Sequence, residues 1–384
     1  MTSAYVLTHH SVPNFGANLQ AYATSRALAA RGIDARYVDF RPPELDAKYR
    51  AGVSQAQRAA HAAFCSQHLR LTSPVETLAD FEALCRAEPA DLYVSGSDAV
   101  FRLQPDSGRA DLCFPNPYWL VGATGPNGAP PRRVSVAPSA MGCDLSALPA
   151  ETRAGLAAAL AQFDALSVRD PWTAEQIKGL GGDPTLVPDP VFSLLPQIRE
   201  MRATRPEGRP YIVICSQGRR DAAWVKALTA RAEGRGVETV AVPNPEGICD
   251  DGTTRRIDLP LDPLDWAALI ARSEGYVGGR FHPVVVALTA GVPAVAIDIY
   301  HRTPLERKRS KTWLIMREFG CASACHSRAM HRVLTPGLVW AQLGLQRRAT
   351  QKRLCMGDAL AARVAHWFDH AFGPVSQPQQ DAAE

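Results

Sequence analysis

The stretch Tyr276 to Ile299, YVGGRFHPVVVALTAGVPAVAIDI, constrains the fold more than any other in the chain. It reads as strand, tight turn, helix, turn, strand. The first strand is short and ends at Gly278-Gly279. Pro283 stands where a helix begins, a place that tolerates proline because the first N–H groups have no intrahelical partner. Val284 to Thr289 is apolar enough for a buried helix, and Gly291 is placed to end it. Ala294 to Ile299 is a second apolar run of strand length. In such a unit the turn after the first strand lies at the carboxyl edge of a parallel sheet, where open α/β folds bind ligands. Arg280 and His282 occupy that turn, two apart, so an extended segment turns both to one side. The helix start adds free N–H groups and partial positive charge. A guanidinium, an imidazole and a helix N-terminus suit a phosphate or carboxylate. Arg280 reads equally as a solvated loop residue and His282 as a helix cap, and spacing alone does not separate the two.

At 384 residues the chain has room for two or three domains with their own cores. Its net charge of +4 is too mild to argue for nucleic acid. No run approaches the roughly 18 apolar residues of a membrane span. The start, MTSAYVLTHH, lacks a basic leader region and reads as a first strand. A cytoplasmic protein without an integral membrane segment is expected. The 9 cysteines form no CxxC pair. Cys321 and Cys325 are four apart, but no second Cys/His pair has finger spacing, so reduced thiols are expected and a metal site is not.

Taken in order, Ala4–Thr8 reads as a strand, the segment after His9-His10 as an open loop, and the chain from about Asn18 to Gly32 as a helix. Ala35–Phe40 is the next strand, which makes a βαβ start. Asn14 and Asn18 suit turn and cap roles, and side-chain amides there also suit a ligand. Glu44–Leu84 is helical in character, broken near Ser73-Pro74. Asp91–Ser95 is a strand that delivers Gly96-Ser97-Asp98 to the sheet edge. Asp98 reads as an acceptor of an alcohol proton or as a turn cap. Pro105–Arg132 is a long Pro-, Gly- and Asn-rich loop, of a kind uncommon in compact domains unless functional or disordered. Strands at Arg133–Pro138, Ala165–Val168 and Thr185–Val187 follow, with a helix at Ser146–Phe163 and another starting at Arg169-Asp170-Pro171. Arg199–Arg209 is polar without an apolar period and reads as a linker. A second strand–helix series then runs through Tyr211–Ser216, Asp221–Arg235, Glu238–Val242 and Leu264–Arg272 into the opening stretch. Helical segments from about Leu338 to Phe372 and a Pro/Gln/Ala tail, expected to be disordered, close the chain. Two α/β halves joined by a linker predict an α/β protein with two Rossmann-like domains facing across a cleft, in the GT-B manner.

Five short segments, NFGANLQAYA, GSD, LSVRDPWTAE, PDP and GRFH followed by GVPAVAI, occur in this order. Together they resemble the polysaccharide pyruvyl transferase family over roughly Tyr5 to Gly320. The resemblance implies transfer of a pyruvyl group from phosphoenolpyruvate to two hydroxyls of a sugar or polysaccharide-type acceptor, giving a cyclic ketal and phosphate. It assigns residues 1–199 to the acceptor side, 200–335 to the donor side and 336–384 to C-terminal helices and tail. The donor's two acidic groups need cations, and Arg280 with Arg169 from the opposite domain fit. The family carries a lysine after its last strand, a place that Lys308 or Lys311 fills. His282 is the candidate acid for the enol methylene, and Asp98 the candidate base for the acceptor hydroxyl. Asn14, Asn18 and Ser97 are expected at the acceptor, where amides suit a neutral polyol better than an anion. No cofactor and no metal are required, and phosphoenolpyruvate is the co-substrate. A glycosyltransferase using a nucleotide sugar, another phosphoenolpyruvate or phosphate chemistry, and a non-catalytic ligand-binding protein are the competing readings.

Overall fold

The computed structural model describes residues 2–204, 208–215, 222–244, 246–247, 252–298, 303–327 and 334–375. Its first sheet contains β1 (Thr2–Leu7), β2 (Ile33–Phe40), β3 (Leu71–Val75), β4 (Leu92–Ser95) and β5 (Arg132–Ser135). All pairings are parallel, in the order β3-β2-β1-β4-β5. The short parallel pair β6 (Ser167–Val168) and β7 (Thr185–Leu186) continues beside β5 through a bridge from Val134 to Ala165. The second sheet contains β8 (Tyr211–Cys215), β9 (Glu238–Ala241), β10 (Arg255–Arg256), β11 (Tyr276–Gly278), β12 (Ala294–Asp298) and β13 (Cys325–Ser327). It is also parallel, in the order β10-β9-β8-β11-β12-β13. Each half therefore winds outward from its first strand and reverses at its fourth, the doubly wound order of nucleotide-binding folds.

The strands have this character because parallel strands are covered on both faces. Tyr211–Cys215 reads YIVIC and is buried throughout. The helix Phe281–Thr289 is apolar on all sides and buried at every position. A helix of that kind belongs in an interior. It is wedged among the helices Leu195–Ala203, Pro263–Ala271, Lys311–Glu318 and Thr350–Phe372. The last of these crosses back to the first sheet, where Trp367 Nε1 donates to the Ser135 carbonyl at 3.2 Å. One apolar core consequently runs through both halves. A second core lies around Tyr5, Tyr93, Phe101 and Trp119 in the N-terminal half.

Three expectations change, and one strand is new. β3 falls inside the stretch read as helical; Pro74 concealed it, yet proline is tolerated at a sheet edge, where β3 lies. The Pro105–Arg132 loop is ordered as short 3-10 turns that bury Tyr118 and Trp119 at 1% exposure each. Arg199 to Ala203 belong to the helix Leu195–Ala203, which anchors Leu195 and Ile198 in the core, so regular structure runs through the start of the expected linker. β13, built from CHS, carries no strand signature; its place in line beside β12 creates it. The expected Ser216, Asp221 and Ile299 ends and the tail beyond Val375 lie outside the described residues.

Leu288 is fully buried in the central helix. Leu288→Ala is expected to cost about 2–5 kcal/mol through lost burial and a residual cavity. Urea unfolding followed by tryptophan fluorescence checks this, and a loss below about 1 kcal/mol would place the helix at a more forgiving site than the core position described.

Candidate functional site

A cleft of about 390 Å³ opens between the carboxyl edges of the two sheets. In each sheet it sits at the point where strand order reverses. On the N-terminal side β1 ends toward His9 and β4 toward Asp98; on the C-terminal side β11 ends toward Gly279 and Arg280. The positions follow from topology, because neighbouring strands whose connections leave in opposite directions open a crevice between their ends. Asp98 holds φ of +77°, unusual for a residue other than glycine, and its carbonyl accepts from the Ser139 N–H at 2.8 Å.

Behind the cleft wall lies a buried chain of charges. Arg169 Nη1 donates to Asp189 Oδ2 at 2.7 Å, and its Nη2 lies 4.0 Å from Asp98 Oδ1. His282 Nε2, from the other half, lies 3.5 Å from the same Asp189 oxygen. The Arg169 guanidinium and the Lys311 ammonium stand 5.0 and 5.1 Å from the Phe281 ring centroid, within cation–π range. Burial alone would push the Asp98 carboxyl up, but Lys311, His9, Arg169 and His282 outweigh it and hold the group below its ordinary value. Asp189 is also held far below its ordinary value, because His282 and Arg169 overcome its burial. Lys311 moves down through burial, reinforced by Arg169 and opposed by Asp98 and Asp189. Burial also lowers His9, against the pull of Asp98 and Asp111; its Nδ1 lies 3.1 Å from the Tyr118 hydroxyl.

The two halves also meet at His282. A Cβ on Gly16 would lie 2.0 Å from His282 Nδ1, so only glycine admits the imidazole against the start of the helix Phe15–Ala29. Beside it, Phe15 stacks on Trp266 with centroids 5.1 Å apart.

Of the residues expected at the site, Asp98, Arg280, His282, Lys311 and Asn14 line the cleft. Arg280 is about a third exposed at the mouth and pairs with Glu246 at 3.1 Å. Lys308 is exposed and pairs with Glu175 at 3.8 Å, so of the two candidate lysines Lys311 is the one that lines the cleft. Asn14 caps the helix Phe15–Ala29, accepting from the N–H groups of Gly16 and Ala17. Three expectations are corrected in placement. Arg169 is 3% exposed and sits behind the wall, since its charge is spent on two carboxylates. Asn18 is buried, with its amide engaged by the His10 carbonyl, Cys65 and His61. Ser97 is also buried and donates to the Ala137 carbonyl at 3.1 Å. The N-terminal wall of the cleft instead presents His9, Lys48, Tyr49, Arg102 and Arg109. Of these, only His9 carried a sequence signal, its place after the first strand. Cys321 and Cys325 are buried free thiols. Among the described residues no group of three or more His, Cys, Asp or Glu side chains is arranged to hold a metal ion, and no helix is long and apolar enough to cross a membrane.

Two parallel α/β halves with a cation-rich cleft at both switch points define the fold class, GT-B-like. A solved UDP-N-acetylglucosamine 2-epimerase superposes over 99% of this chain and 98% of its own, with a TM-score of 0.56 at 11% identity. The structure of S. aureus MnaA with UDP does so over 98% and 99%, with a TM-score of 0.52 at 11% identity. At such identity the likeness concerns the fold alone. No curated protein matches the sequence closely enough to count as a relative. The profile of the polysaccharide pyruvyl transferases, however, matches residues 14–301. The chain belongs to that family, and is a transferase.

The charges around Asp189 give its role a pH signature. Its carboxyl is depressed in the folded protein, so the stabilisation is complete above the unfolded value of about 4 and is lost as pH falls through the folded value. Asp189→Asn is expected to melt well below the wild type at pH 7, with the gap narrowing below about pH 4. Equal deficits in Tm at pH 7 and pH 3 would remove the charge account.

Proposed function

We propose that the protein transfers a pyruvyl group from phosphoenolpyruvate to two hydroxyls of a sugar acceptor, releasing phosphate. The observation that carries this reading is the convergence of Arg280, Lys311 and His282 with Asp98 across one cleft in a member of this family. Phosphoenolpyruvate carries a carboxylate and a phosphate, and two cations from different elements are suited to hold them apart. Arg280 and the start of the helix Phe281–Thr289 take the phosphate, and Lys311 the carboxylate. Arg169 reinforces the field from behind and fixes Asp98 and Asp189.

His282 gives a proton to the enol methylene, which becomes a methyl group as positive charge develops at the neighbouring carbon. The first acceptor hydroxyl adds to that carbon and passes its proton to Asp98. The bond from carbon to the phosphate oxygen then breaks. The second hydroxyl closes the ketal, its proton restores His282, and the proton on Asp98 leaves with the phosphate. Asp189 positions His282 through Nε2, as carboxylates orient imidazoles in other proton-transfer sites.

Mass spectrometry of a panel of sugar acceptors incubated with phosphoenolpyruvate is expected to find one pyruvyl ketal per product and one phosphate released. Release of a nucleoside diphosphate from a nucleotide sugar, without any ketal, would replace this reading with glycosyl transfer. Arg280→Ala is expected to weaken phosphoenolpyruvate binding about tenfold, the low end for a charged contact because the site is partly exposed. Arg280→Lys should recover little, since the planar fork is lost. Unchanged affinity by calorimetry in Arg280→Ala would move the donor elsewhere.

Gly16→Ala displaces His282 without touching either ligand's charge partners. Turnover is expected to fall on the order of 100-fold while phosphoenolpyruvate affinity holds. Full turnover in a folded Gly16→Ala protein would exclude His282 as the acid.

A further inference from the structure

A second cavity, also of about 390 Å³, adjoins the cleft at the helix Pro43–Gly52. The two share Val12, Leu45 and Tyr49 as a common wall. Nothing in the mechanism above uses it, yet three arginines stand among its lining residues. Arg41, Arg50 and Arg58 face it, with Asp46 the one carboxylate among its lining residues. Arg50 pairs with Asp46 on the exposed face of the helix, and Arg41 donates to Asp39 at 2.7 Å.

Arg58 is held differently. Its Nη1 donates to the carbonyls of Arg50 and Val53 at 2.9 and 2.8 Å. No carboxylate pairs with it among the described residues. A guanidinium fixed by carbonyls, with its remaining N–H groups open, is a preorganised anchor for a planar or tetrahedral anion.

His61 supplies a complementary group. It is 3% exposed, and its Nδ1 lies 2.5 Å from Asn18 Oδ1. The Asn18 amide nitrogen donates to the His10 carbonyl at 2.8 Å, so Oδ1 is the acceptor and His61 Nδ1 carries the proton. Burial pushes the imidazole down to about 4, so it is neutral near pH 7. Nε2 is then a bare lone pair, and it has no partner among the described residues. Such a group accepts from a hydroxyl and repels an anion. The cavity thus offers cations for an acid group and a buried acceptor for a hydroxyl.

The adjoining face of the cleft has the same bias. Lys48 and Arg102 line it, and Arg102 donates to the uncharged Gln104 at 2.7 Å. The buried amide of Asn18 and hydroxyl of Ser97, which would suit a neutral polyol, are engaged internally.

Building on the pyruvyl-transfer reading, we propose that this cavity is an acceptor subsite for an acidic sugar residue next to the one that receives the ketal. Its carboxylate or phosphate meets Arg58 and Arg41, and one of its hydroxyls donates to His61 Nε2. Tyr49 forms the step over which the acceptor passes from cleft to cavity.

The test is calorimetry with three probes, glucuronate, glucose 6-phosphate and glucose, on the wild type and on Arg58→Gln, Arg41→Gln and Arg280→Ala. Glucuronate or glucose 6-phosphate is expected to bind at least about tenfold more tightly than glucose, and the better of the two identifies the acid group. That preference should persist in Arg280→Ala and shrink about tenfold in Arg58→Gln. Should Arg58→Gln lower Tm, Arg41→Gln at its exposed position carries the same expectation. Acidic sugars binding no better than glucose would overturn the proposal. So would binding lost in Arg280→Ala but unchanged in Arg58→Gln and Arg41→Gln, since that places the probes in the donor site. Failure of wild-type protein to bind phosphoenolpyruvate, with acidic-sugar binding intact, would instead remove the pyruvyl-transfer reading and leave the cavity an acidic-sugar site.

Discussion

Asp189 receives Arg169 from its own half and His282 from the other, and all three side chains are almost completely withdrawn from water. An isolated carboxylate in that position would cost several kcal/mol of desolvation. Two positive or potentially positive partners and the Val191 N–H at 3.0 Å offset that cost. The arrangement makes the seating of the Phe281–Thr289 helix and the ionisation of Asp189 a single problem, because His282 belongs to the first turn of that helix. The interaction is therefore structural and chemical at once. It holds an imidazole in one orientation at a cleft, and it does so with a group that the cleft itself need not expose.

The same economy governs Asp98. Arg169 lies 4.0 Å from it, too far for a tight bond and near enough to keep it ionised together with Lys311 and His9. A carboxylate with a stable charge but without a saturating hydrogen bond retains lone pairs for an incoming hydroxyl. Had Arg169 clamped Asp98 as it clamps Asp189, fewer of its lone pairs would face the cleft. The distinction rests on about an ångström of separation, which the positive φ of Asp98 and its bond to Ser139 set.

Local pattern made much of the fold legible. The YVGGRFHPVVVALTAGVPAVAIDI unit, the βαβ start and the second strand series all obey periodicity and turn chemistry that act within a few residues. What escaped depends on partners distant in sequence. β3 is a strand because β2 offers an edge, and β13 because β12 does. The site shows the same division. Arg280, His282 and Asp98 stand at strand ends visible in the sequence. The burial of Asn18 and Ser97 is decided by His10, His61, Cys65 and Ala137. Asp189 was visible only as part of a resemblance, since nothing in PDP announces that two halves will place cations against it. Gly16 falls in the segment that reads as an open loop, although the structure needs its missing Cβ more than its flexibility.

The charge distribution also bears on how two ligands share one cleft. A donor with a carboxylate and a phosphate, placed beside an acidic acceptor, would suffer like-charge repulsion that grows as water leaves. A single cluster of cations would concentrate that repulsion. The cations here are instead divided between two cavities, Arg280, Lys311, Lys48 and Arg102 in the cleft and Arg41 and Arg58 in the cavity that shares Tyr49 with it. Tyr49 lies between the groups, its hydroxyl raised to about 12 by burial and by Asp98 and Glu246, so it stays neutral where an ionised side chain would upset either ligand. A helix as short as Pro43–Gly52 can serve this purpose because it presents Tyr49 and Leu45, four apart and so on one face, to both cavities. On the reading proposed above, the donor's phosphate would meet Arg280 and its carboxylate Lys311, while the anion of an acidic acceptor would meet Arg58 and Arg41 beyond Tyr49.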